Sequence, residues 1–76
     1  MNGSYYLIVQ EPGHKLVPLE GPGCDRGIFW DIAIAERVAA GLSTEVTKYE
    51  FHIYRVESAN DLIKGVVARY KNGARK

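Results

Sequence analysis

Hydrophobic positions recur at a helical interval in one stretch only, Phe29 to Leu42; elsewhere they alternate or run together. At about 100° per residue, Ile28, Ile32, Ile34, Ala35, Val38, Ala39 and Leu42 fall on one arc. Ala33, Glu36, Arg37, Ala40 and Ser43 fall on the other. Asp31 at the head of this pattern has the short carboxylate that accepts the free N–H groups of a first turn, so the helix is predicted to start there. Gly41 tolerates positive φ and Leu42 can fold back on the last turn, which predicts an end near Ala40 or Gly41.

The remaining pattern predicts strands. Tyr5 to Gln10 is rich in β-formers, with Tyr5, Leu7 and Val9 on one face. Glu11-Pro12-Gly13-His14 suits a type II turn, and Lys15 to Leu19 returns as a short second strand, confined to an edge because Pro18 cannot donate to a ladder. Glu20 to Gly27, with three glycines and a proline, reads as an irregular loop into the helix. After a polar connection, Tyr49 to Val56 is the longest strand candidate, with Tyr49, Phe51 and Ile53 inward, Glu50, His52 and Tyr54 outward, and a bulge expected near Arg55. Ser58-Ala59-Asn60-Asp61 is a turn, and Leu62 to Tyr70 is the last strand, with Val66, Ala68 and Tyr70 on one face and Val67, Arg69 and Lys71 on the other.

The expected architecture is therefore ββαββ, an α+β fold with an antiparallel sheet of about four strands and one helix on one face. The third strand should lie beside the first. Residues 1–76 have room for one domain, with a basic C-terminal tail from about residue 71. One helix covers one face of such a sheet, so the other must be polar or be used. Tyr6, Ile8, His52 and Tyr54 are the residues expected there, and they are not very polar.

Composition removes several function classes. At 46% hydrophobic and 25% charged the chain is globular, not disordered. One cysteine rules out an internal disulfide framework, and no apolar run approaches the roughly 20 residues that span a bilayer. No secretory signal is visible, so a cytoplasmic protein is expected. Net charge is +1, but residues 1–61 hold five bases against nine acids, whereas Lys64, Arg69, Lys71, Arg75 and Lys76 face no acid. This asymmetry makes the last strand and tail a candidate binding patch.

Catalytic candidates are few. Cys24, beside Arg26 in the glycine-rich segment, is a conceivable nucleophile, but His14 and His52 are the only bases and stand on separate elements, so no enzyme is expected. The same three residues lack metal-ligand spacing, and Gly21 to Gly27 lacks the ending of a phosphate loop, so neither metal nor cofactor is expected. Of Phe29 and Trp30, one is expected in the core and the other partly exposed. Tyr6, Tyr54, Arg55, Arg69, Tyr70 and Lys71 remain as the candidate partner-binding set. The partner is either a protein, met by acids such as Glu11, Glu20, Glu45 and Glu50, or, as the alternative, nucleic acid held by the C-terminal bases. Self-association into a homodimer is a further expectation of the uncovered face.

Two resemblances bear on this choice. Arg55-Val56-Glu57-Ser58-Ala59-Asn60-Asp61-Leu62, followed by Ala68-Arg69-Tyr70-Lys71-Asn72-Gly73, resembles the end of a small phage-encoded anti-CRISPR protein acting on multisubunit type I surveillance complexes. That likeness covers roughly the last 20 residues. It implies an inhibitor without an active site that occludes a nucleic-acid-binding surface of a host ribonucleoprotein complex. Pro22-Gly23-Cys24, after two strands and before a helix, is similar to HicB-type antitoxins and implies the nucleic-acid alternative.

Overall fold

Asp31 turns the chain from extended to helical. In the computed structural model, which describes residues 3–76, its backbone is extended and its side chain accepts the N–H of Ala33 at 2.9 Å. The helix, α1, runs Ile32–Glu45, one turn beyond the predicted end. Gly41 is exposed inside it and costs only its intrinsic propensity, about 1 kcal/mol. Tertiary contact outweighs that cost: Leu42 and Val46 pack on the core, and Ser43 is fully buried. Ser43 lies on the i, i+4 row of Ala35 and Ala39, so the inner stripe is Ala35–Ala39–Ser43, and Ala40, also expected outside, is partly buried beside it.

Around the helix lies an antiparallel sheet with seven strands, β1 Ser4–Glu11, β2 Lys15–Leu16, β3 Cys24–Asp25, β4 Ile28–Phe29, β5 Glu50–Glu57, β6 Leu62–Lys71 and β7 Ala74–Arg75. The order is β3-β4-β1-β5-β6-β7, with β2 also on β1. The α+β class and the adjacency of β1 and β5 agree with the sequence, but four of the seven strands are two-residue pieces and only three are long. Two of the pieces, β3 and β4, lie in and after the segment expected to be irregular. Arg26 and Gly27, both at positive φ between paired Asp25 and Ile28, form the two-residue turn that matches strand twist. Asn72 and Gly73 do the same between Lys71 and Ala74, so of the turn or tail expected over residues 71–76 the turn is found, and the chain folds back as β7. The predicted second strand shrinks to Lys15–Leu16; Gly13 has the positive φ that the predicted turn requires of it, and His14 after it is positive as well.

The core joins Ile8, Phe29, Ala35, Ala39, Phe51, Ile53, Ala68 and Tyr70. Small residues along the helix stripe allow close approach, and the large side chains come from the sheet. Ile8 pairs with Ile53 and Tyr6 with Arg55, which puts Tyr6 and Ile8 on the helix side. The expectation that they would face outward is corrected. Along β6 the ladder steps from Ala68 opposite Ile53 to Val66 opposite Tyr54, then from Gly65 opposite Arg55 to Ile63 opposite Val56. Val67 and Lys64 are the extra residues, and the first bulge moves Val66 to the face opposite Ala68 and Tyr70, against the predicted shared face.

Ser43 ties helix to sheet. Its hydroxyl donates to the Ala40 carbonyl at 2.9 Å and accepts the Gly73 N–H at 2.8 Å. Ser43→Ala keeps the volume nearly constant but orphans that N–H, and should lower unfolding free energy by about 1–3 kcal/mol in a denaturant titration. An unchanged midpoint would show that water satisfies Gly73 equally well.

Candidate partner-binding face

The side of the sheet away from α1 is built from strand register. Glu11 lies opposite Glu50, Val9 opposite both His52 and Leu16, Leu7 opposite Tyr54, and Tyr5 opposite Val56. On the far side of β5, Arg69 stands beside His52, Val66 beside Tyr54, and Ile63 beside Val56. The result is a face with a charged end and an apolar end.

At the apolar end Phe29 enters the core, so its neighbour Trp30 points the other way and is 63% exposed. Trp30 meets Tyr5 edge-on, with ring centroids 5.4 Å apart. Tyr5 reaches over Val56 and donates its hydroxyl to Asp61 at 2.7 Å, which leaves Val56 buried and raises the phenol's pKa, chiefly through that hydrogen bond. Ile63, 58% exposed, completes the end, and Leu16, 43% exposed, extends the apolar surface beside Val9.

At the charged end Glu11 and Glu50 face each other across the ladder, and each has its own compensation. Glu11 accepts from His14 at 2.8 Å, which holds its pKa below the usual range. Glu50 is bonded by Lys76 at 2.8 Å and by His52 at 2.9 Å, and these, Lys76 foremost, lower its pKa to about 2. A cleft of about 390 Å³ lies here, lined by Glu11, Pro12, Lys48, Glu50, His52 and Lys71. His14 also stands edge-on to Tyr54, 5.7 Å between centroids.

The six predicted partner-binding residues divide between the two sides. Tyr54, Arg69 and Lys71 lie on the open face. Tyr6 packs on the core, and Tyr70 is 8% exposed beneath the helix side. Arg55, on that side as well, donates to Ser4 at 3.0 Å beside a hollow of about 330 Å³ at the end of the sheet. Sequence reasoning missed Trp30, Tyr5, Ile63 and Leu16 as one surface. Alternation outward from Phe29 was the signal for Trp30; the β6 bulges hid Ile63.

Cys24, in the segment expected to be an irregular loop, lies in β3. It pairs with Phe29 and packs partly buried against the core, on the opposite side of the sheet from His52. No helix among the described residues is long and apolar enough to cross a membrane, and no group of three His, Cys, Asp or Glu among them is placed to hold a metal ion. No family model, curated protein or solved structure matches the chain.

The Glu50 cluster gives a sign for acid sensitivity. A folded-state pKa below the ordinary carboxylate value contributes stability that is present above that value and lost as pH falls through about 2. Carboxyl-detected NMR should show Glu50 titrating near 2, and Lys76→Ala should move it toward the ordinary range. An ordinary titration in the unsubstituted protein would mean that the Lys76 contact does not persist in solution.

Proposed function

We propose that this chain is a non-catalytic protein-binding module that works through the open face of its sheet. The observation that carries this reading is the Trp30–Tyr5 pair with Ile63 beside it: large, exposed, partly apolar side chains on a rigid strand frame. Trp and Tyr anchors of this kind supply much of the energy of protein interfaces. The charged end, where Glu11 and Glu50 lie near Lys71 and Arg69, provides a polar rim of mixed sign.

The nucleic-acid alternative loses support from the same geometry. Of the C-terminal bases, Arg75 is paired with Glu36 at 3.2 Å, Lys76 with Glu50, and Lys71 donates to the Thr47 carbonyl. A phosphate-tracking surface needs several free cations in a row. The inhibitor role implied by the C-terminal resemblance is compatible with this reading, since occlusion of a host ribonucleoprotein complex requires a rigid face and no active site.

The test is capture from nuclease-treated host lysate, comparing the tagged chain with Trp30→Ala. A protein partner retained after nuclease treatment, with affinity weakened at least tenfold or about 1.4 kcal/mol in the variant, is expected. Binding to bare DNA or RNA that falls steeply with salt, and is lost in Arg69→Ala with Lys71→Ala, would overturn the reading.

A further inference from the structure

We propose that the corner between Trp30 and Tyr5 takes an arginine side chain of the protein partner, its guanidinium lying on Tyr5 against the Trp30 ring and pairing with Asp61. This rests on the reading of the open face as a protein-binding surface and names the chemistry that the partner brings to it.

Charge singles out Asp61. Of the acids on the open face, Glu11 is bonded by His14, and Glu50 by His52 and Lys76, so both already meet a base. Asp61 accepts only from the neutral hydroxyl of Tyr5, at 2.7 Å, and among the described residues no base pairs with it. That bond uses Oδ1 and leaves Oδ2 to an incoming donor. Asp61 is exposed, so a donor from outside can reach it.

The rings beside it favour the same charge. Trp30 and Tyr5 meet at 61° with centroids 5.4 Å apart, as two walls of an open corner, and Trp30 is 63% exposed. Ring faces carry the negative side of the aromatic quadrupole, and a phenol that donates to a carboxylate gains electron density in its ring. Among the described residues the one cation–π contact, Lys48 on Tyr49, lies elsewhere, so no described base of the chain fills this corner.

Arginine is the cation that satisfies both features together. A planar guanidinium stacks on a ring and presents its N–H fork to a carboxylate at the ring's end, which is where the Tyr5 hydroxyl holds Asp61. An ammonium is a compact, strongly hydrated charge without that flat fork. Ile63, exposed next to Val56, offers apolar surface to the methylene stem.

The experiment is an NMR titration of the full chain with N-acetyl-arginine amide, read at the Tyr5 ring and at the indole N–H of Trp30, the only tryptophan. N-acetyl-citrulline amide, the neutral isostere, and N-acetyl-lysine amide are the comparisons. Saturable shifts are expected with the arginine probe, with the citrulline probe binding about fivefold more weakly or worse and the lysine probe also weaker than arginine. Asp61→Asn keeps an oxygen for the Tyr5 hydroxyl and tolerates the positive φ of 52° at this position, so it removes the charge alone. It should weaken arginine binding by about threefold or more, as should Trp30→Leu. Absence of saturable shifts, equal affinity for arginine and citrulline, lysine binding as tightly as arginine, or an unaffected Asp61→Asn would overturn the proposal. Lysate capture separates this from the broader reading. Capture lost in Trp30→Ala but unchanged in Asp61→Asn would overturn the arginine assignment and leave the face as a surface for a protein with a neutral anchor. Capture unchanged in both would remove that reading as well.

Discussion

Close approach of α1 to the sheet along Ala35–Ala39–Ser43 is the constraint on which the rest of the structure depends. The three side chains are fully buried and small, so Ile8, Phe29, Phe51 and Ile53 can fill the space between the layers without voids. Larger residues on that stripe would lift the helix and open gaps costing on the order of 1–3 kcal/mol each. Ser43 adds direction to the contact, because its hydrogen bond from Gly73 fixes the β6–β7 turn against the last turn of the helix. Gly73 also needs its glycine there, since a Cβ would sit 2.5 Å from the Thr44 hydroxyl and φ is +80°.

This single helix commits one face of the sheet and leaves the other without cover. The uncovered side remains ordered because its own side chains shield one another: Tyr5 lies over Val56, Trp30 stands on Tyr5, and His14 stands on Tyr54. Such local shielding holds Val9 and Val56 away from water but leaves Trp30, Ile63 and Leu16 exposed. A rigid, partly apolar surface with charges at one end is the physical basis of the proposed binding role.

Much of this was legible from residues alone. The Asp31 cap, the faces of β5, the 58–61 turn and irregular pairing near Arg55 follow from side-chain chemistry and alternation. The sidedness of β1 was not, because Tyr6 and Ile8 are as apolar as Tyr5, Leu7 and Val9, and alternation cannot say which set meets a helix. Gly41 favours a helix end by propensity alone, and the burial of Ser43 beyond it carries the helix on for another turn. Asn72-Gly73 is the residue pair that a two-residue hairpin turn favours, but the strand beyond it, Ala74–Arg75, is too short to leave an alternating pattern. The two bulges in β6 left no mark in its composition, and they displaced Val66 from its predicted face and kept Ile63 from being recognised on the open one.

One face of β5 is core and the other is open, and the proposed function rests on that difference. An aspartate scan along that strand, read by thermal unfolding, tests it most directly. Asp at positions 51 and 53, which are buried, should abolish cooperative folding, while His52→Asp and Tyr54→Asp should leave a folded protein. Unfolding by Tyr54→Asp as complete as by Ile53→Asp would contradict the account, because the face opposite the helix would then be core too.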